Sequence, residues 1–193
     1  MMKYITIIFL LSTFSTTAQK LSPYFGLNAS SHWIKSSQSD SRYAYGFRSG
    51  LQGGINYTHP LNRIVQLSYR AEYVQKGYES RNNTLHYVGI QQQVQFNPFP
   101  NKIKNAYAAI GATNHRLMKE SLIDQIEDYD GTQAIIPGKY DKWSFGGVLA
   151  VGYWIDRLNL EGGMNFDIAP SITYNQFEVR NYLWYFNVGF SVL

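Results

Sequence analysis

Apolar and polar residues alternate along most of this chain. Over 21–30, Phe25, Leu27 and Ala29 stand opposite Tyr24, Gly26, Asn28 and Ser30. The same period of two recurs over 43–57, 64–78, 85–97, 142–154 and 158–167, and again over 182–193. Successive side chains of a strand point to opposite faces, so each stretch predicts a strand with one apolar and one polar face. A weaker alternation over 106–117 predicts another strand whose faces it does not assign. That makes about eight strands.

The final stretch carries the clearest faces. Trp184, Phe186, Val188, Phe190 and Val192 fall on one side, and Tyr185, Asn187, Gly189 and Ser191 on the other. A large apolar face opposite a small polar one fits a lipid-facing strand that closes a transmembrane β-barrel by pairing with 21–30. A soluble barrel reverses the arrangement, with apolar residues inside and charge outside. In lipid every backbone polar group needs an internal partner, so the sheet must close. Aromatic residues near strand ends (Tyr45, Tyr57, Trp143, Tyr153, Trp184) would form girdles at the two interfaces.

The connections also alternate. Turns over 58–62, 98–105 and 155–157 are mostly short. The links over 31–42, 118–141 and 168–180 are long and polar, with the 79–83 link a shorter exception. Long loops outside and short turns in the periplasm is the outer-membrane pattern. Within 118–141, Leu122, Ile123 and Ile126 could share one face of a short helix.

Composition supports export. Met1-Met2-Lys3, an apolar run from Tyr4 to Leu11 and a small-residue end at Thr16-Thr17-Ala18 read as a cleaved signal peptide over 1–18, leaving one domain over 19–193. The apolar run is shorter than the ~20 residues of a spanning helix. There is no cysteine, so no disulfide framework holds the exported chain. Charged residues are 16% against a usual ~25%, and mean hydropathy is −0.28, as alternating strands require. The net charge of +4 is dispersed rather than clustered with aromatics, which disfavours nucleic acid as a partner.

Candidate chemistry lies mainly on the polar faces. Arg48, Arg70, Glu72, Lys76, Glu161 and Asp167 share the inferred lumenal side, where unpaired charge is costly, so opposite charges should pair. A proton or ion path is the functional alternative, but an eight-stranded barrel is filled by side chains. His32, His59, His86 and His115 lack metal-ligand spacing, and the acidic run Asp124, Glu127, Asp128, Asp130 lacks a calcium loop's glycine. No metal or cofactor is expected. His115, Ser121 and an acid could make a triad, but no Gly-x-Ser-x-Gly element is present. Trp33, Ile34, Ile135 and Ile136 are candidate loop contacts.

Four segments carry a family likeness: Glu72-Tyr-Val-Gln-Lys76-Gly77, Tyr87-Val-Gly-Ile-Gln91, Tyr107-Ala-Ala-Ile-Gly111 and Asn187-Val-Gly-Phe-Ser191. Together they resemble the PorT-like outer-membrane β-barrel family of Bacteroidetes. Tyr73 replaces that family's usual Leu, and Gly89 and Gln91 replace its usual acid and proline. The likeness implies an outer-membrane barrel, and one branch of the family implies a link to protein secretion.

The expectation is a closed antiparallel transmembrane β-barrel, an up-and-down meander like OmpA or OmpX. It is expected to be non-enzymatic, with a structural or binding role through its loops. Its partners would be outer-membrane lipid, the insertion machinery, and an envelope or secretion protein. A narrow porin-like channel is the alternative, and a lipid-modifying enzyme a third.

Overall fold

A computed structural model describes residues 19–36, 42–44, 46–77, 84–98, 103, 105–120, 126–127, 133–134, 142–174 and 177–192. The expected signal peptide and its cut after Ala18 lie outside these. So do Ser121, Leu122, Ile123, Asp124, Asp128, Asp130, Ile135 and Ile136, and Tyr45 of the expected girdle. Among the described residues no helix forms.

The strands in chain order are β1 (Lys20–Ser36), β2 (Arg42–Ala44), β3 (Arg48–Pro60), β4 (Val65–Gly77), β5 (Thr84–Phe96) and β6 (Ala106–Glu120). They continue as β7 (Ile126–Glu127), β8 (Gln133–Ala134), β9 (Trp143–Ile155), β10 (Leu158–Asp167), β11 (Ile172–Tyr174) and β12 (Phe177–Phe190). Eight long strands form a continuous antiparallel meander in the order β12-β10-β9-β6-β5-β4-β3-β1. Pairing of β1 with β12, from Tyr24↔Gly189 to Ser36↔Phe177, closes it into a barrel with no free long edge.

The closing strand turns the expected face outward. Trp184, Phe186, Val188, Phe190 and Val192 are 53%, 52%, 40%, 49% and 52% exposed, while Tyr185, Asn187, Gly189 and Ser191 are buried. Along β9 the apolar exterior runs from Trp143 to Ile155, broken at Gly147, which the Phe166 ring covers. That run is roughly 40 Å of strand, or about 30 Å of height at the usual tilt, enough to match a membrane's apolar core.

Several boundaries differ from expectation. β1 continues to Ser36, so Trp33 and Ile34 are strand residues paired with Arg180 and Val179, not free loop contacts. Polar residues such as Ser31 and His32 had suggested a loop. Both are buried, and His32 shares the parity of the inward Asn28 and Ser30, where a polar side chain suits a strand. The second predicted strand splits, since Gly46 and Phe47 separate β2 from β3. β3 also runs through to Pro60, which lacks a ladder donor but is tolerated at a strand's end. The turn follows at 61–64, where Asn62 Oδ1 accepts from the backbone N–H groups of Ile64 and Val65 at 2.8 Å each.

β12 starts at Phe177, five residues before the expected strand, and β11 pairs with its first three residues. Ile126 lies in a small β7–β8 ribbon rather than the expected helix, because three apolar residues also fit a short strand. On β6, Tyr107, Ala109, Thr113 and His115 point inward. A bulge at Met118 shifts the register with β5, and small residues on both faces had hidden this strand's polarity. The expected turn at 155–157 is a two-residue hairpin. Ile155 pairs Leu158 and Asp156 takes φ 52°, the left-handed conformation such a link needs.

Candidate functional site

The barrel's interior is polar because the pleat sends every second residue into it. β4 brings Arg70, Glu72 and Lys76 inward, and β10 brings Glu161 and Asp167. These two strands stand four strand steps apart in either direction around the ring, so they face each other across the full diameter. Arg70 and Glu161 meet across it as a two-pronged ion pair. Nη1 donates to Oε1 and Nη2 to Oε2, each at 2.5 Å. Lys76 Nζ reaches Asp167 Oδ1 at 3.3 Å in a second crossing. Six residues separate the two crossings on each strand, roughly 20 Å along the chain.

Each carboxylate is then fully occupied. Tyr185 donates to Glu161 Oε1 at 2.9 Å and Tyr107 to Oε2 at 2.7 Å. Asp167 accepts from Ser144 at 2.8 Å and from the Asn181 side chain at 2.6 Å. Glu72, between the crossings, takes the Tyr24 hydroxyl on one oxygen and His115 Nε2 on the other at 2.7 Å. Charge-assisted bonds of this kind offset the cost of burying the ions. Lys76 Nζ also lies 5.0 Å from the centre of the Tyr87 ring.

Inward glycines make room for these rings. Tyr107 is paired with Gly152, Tyr185 with Gly163 and His115 with Gly89. A β-carbon on Gly163 would sit 2.6 Å from the Tyr185 ring, and one on Gly89 2.5 Å from His115 Cδ2. At Gly152 it would run into the Tyr107 ring. With no side chain opposite, each ring lies across the neighbouring strand and carries its polar atom to a carboxylate.

Buried amides pack around the Arg70–Glu161 crossing. Gln93 and Gln95 on β5 are buried, as are Asn56, Ser68 and Asn187. Ser68 donates to Asn56 at 2.6 Å and Gln52 to Asn187 at 2.7 Å. Two cavities open at opposite ends of the described barrel. One of about 150 Å³ lies at the short-turn end beside Lys20, Asn97, Tyr107 and Trp154. The other, about 390 Å³, lies at the long-loop end beside Trp33, Phe166, Arg180 and Tyr182. Their linings share no residue, and Asp167 of the second cross-lumen pair lines the long-loop cavity.

Of the six charged residues read from sequence, five form this network. Arg48 stands half-buried at the first position of β3, opposite Ser30. Tyr24, Tyr107, Tyr185 and His115 complete the network and were not singled out for it. Alternation had placed Tyr24 and Tyr185 among the small polar residues, and that was the available signal. His115 is committed to Glu72 inside the lumen, and His86 bonds Tyr73 on the exterior at 2.5 Å. Among the described residues no three His, Asp or Glu side chains are grouped to hold a metal ion.

No protein-family profile matches the chain, and no curated protein matches it. Solved structures do. Neisserial surface protein A is 14% identical, with TM-score 0.47, covering 87% of this chain and 96% of that one. OprG, an outer membrane protein of Pseudomonas aeruginosa, is 13% identical at TM-score 0.46, covering 90% and 95%. Ail, the attachment invasion locus protein of Yersinia pestis, is 10% identical at TM-score 0.44, covering 90% and 99%, in a structure holding the heparin analogue sucrose octasulfate. At such identities the likeness is one of fold. The chain's own strand pairing makes it a closed eight-stranded barrel, apolar outside and polar within.

Proposed function

We propose that this chain resides in the outer membrane as a sealed, non-catalytic barrel that acts by binding, through the strands and loops on its long-loop side. The observation that carries the reading is the pair of ion bridges spanning the lumen's full diameter, Arg70–Glu161 and Lys76–Asp167. A conducting pore needs a continuous wet path, whereas here buried side chains bond to one another across the bore. A lumenal enzyme would need an accessible nucleophile or base, and His115 and the carboxylates are instead spent on each other.

Strand length supports a binding rim. A membrane strand needs about 9–11 residues. β1 has 17, β6 has 15 and β12 has 14, and the surplus of β1 and β12 lies at the long-loop end, where they pair with each other and with β2 and β11. This rim of backbone-paired strands stands clear of the membrane and is rigid enough to present a surface. An accessory role in envelope assembly or protein secretion fits such a rim and the PorT-like motifs.

Planar-bilayer recording of the purified barrel tests the reading. Silence is expected, and discrete open levels would establish a channel instead. Crosslinking from native outer membranes, with the crosslinker at Lys35 on the rim, is expected to capture an envelope protein. Failure to capture any would remove the binding role.

A further inference from the structure

The barrel's exterior is not uniform. On β12, and on its neighbours β10 and β1, it is built mostly of bulky apolar residues such as Trp184, Phe186 and Leu27. On the opposite side, four strand steps away in either direction, β5 presents Val88, Ile90, Gln92, Val94 and Phe96 outward. Gln92 is the middle of those five positions and is exposed. Its register neighbour on β6 is Ala112, and Asn114 lies one outward position further along that strand, also exposed. Neither Gln92 nor Asn114 makes a side-chain hydrogen bond among the described residues.

This placement is costly for a lone barrel in lipid. Gln92 lies four residues from either end of the apolar run, roughly 13 Å of strand and about 10 Å of depth at the usual tilt. That is too deep for so short a side chain to reach the interface, a route open to Lys and Arg. A primary amide there holds two donors and an acceptor that hydrocarbon cannot satisfy.

We propose that this face, centred on Gln92, is where a second copy of the chain docks, making a two-fold dimer in the membrane. All copies insert in one orientation, so a two-fold axis relating them must run along the membrane normal. Such an axis leaves depth unchanged, so a residue beside it meets its own counterpart at its own level. The carboxamide is self-complementary, since the N–H of each Gln92 can donate to the carbonyl of the other. A different partner would need a polar group at that one depth by coincidence. Tyr69 flanks Gln92 on β4, but Ala112 flanks it on β6, and on that side a second wall can approach closely, as at small residues of membrane interfaces. The β12 side has small residues at Gly162 and Ala29 but no outward amide to pair across an axis, and it stays against lipid.

The inference rests on the membrane residence proposed above, and the absence of cysteine in the chain provides its test. Gln92→Cys and, on the far side, Val188→Cys are each oxidised in lipid vesicles and run on denaturing gels. Disulfide dimer is expected from Gln92→Cys at about tenfold the level of Val188→Cys or more. In parallel, subunit counting by single-molecule photobleaching in the same vesicles is expected to show pairs for the wild type. Gln92→Leu should raise the dimer dissociation constant about tenfold, the weight of one or two membrane hydrogen bonds. Its folded fraction, read by heat-modifiable gel mobility, should be unchanged. Equal crosslinking at the two positions, or a folded wild type that stays single, overturns the dimer and leaves membrane residence standing. A chain that never inserts into vesicles removes both.

Discussion

Replacing Glu161 by Gln probes the lumen most directly. The carboxylate accepts four hydrogen bonds, two from Arg70 at 2.5 Å and one each from Tyr107 at 2.7 Å and Tyr185 at 2.9 Å. Gln keeps the shape and removes the charge. One oxygen becomes an NH₂ group, which cannot accept and faces two donors. Arg70 then remains buried without its counter-ion. Breaking one partner of a buried pair costs about 3–5 kcal/mol. At a urea slope of about 2 kcal/mol/M, the midpoint falls by roughly 1.5–2.5 M. The assay is reversible unfolding in lipid vesicles, followed by tryptophan fluorescence and by gel mobility without boiling. Arg70→Leu alone should cost a similar amount. The double variant Arg70→Leu/Glu161→Leu should be less destabilised than the sum of its parts, with a coupling of about 2 kcal/mol or more. Single variants within about 0.5 kcal/mol of the wild type would show a hydrated, weakly coupled pair, and the sealed-lumen argument would fall with them.

Three further outcomes follow from the geometry. Gly54→Ala should destabilise the barrel by about 2 kcal/mol, because the new β-carbon meets Ala71 O and sits 2.9 Å from Glu72 Cα; Gly162→Ala, whose nearest atom would be 3.8 Å away, should be neutral in the same unfolding assay. Phe186→Asp should reduce the inserted fraction in outer membranes, by a cost of about 2 kcal/mol, and wild-type levels would contradict the face assignment. Removing both cross-lumen bridges with Arg70→Ala and Lys76→Ala should open a conductance that the wild type lacks, recorded in planar bilayers.

Much of the exterior was legible in the order of residues. Phe25, Leu27, Ile90, Val94, Trp184 and Phe186 were placed outward by parity, and the barrel exposes them. Parity failed where both faces carry small residues, as on β6, and could not foresee the bulge at Met118, which depends on how β5 and β6 meet. Loop composition misled at Trp33 and Ile34. A polar run reads as a loop only if nothing pairs with it, and β12 does. The charged residues of the lumen could be named, but their partners could not. His115 looked like any other strand histidine until Gly89, opposite it, gave its ring room to reach Glu72.

By itself the sequence determined which way each strand's side chains point, because a period of two is a local property that needs no partner. It also determined that the sheet must close, since an apolar exterior leaves the backbone no water to bond. Only the tertiary structure decided which charges meet. Arg70 and Glu161 are 91 residues apart, and so are Lys76 and Asp167. Neither distance along the chain says anything about contact. The pairs form because eight strands, closed at one register, set β4 and β10 on opposite walls at matching heights. A ring of another size or stagger would have kept every face and lost both bridges.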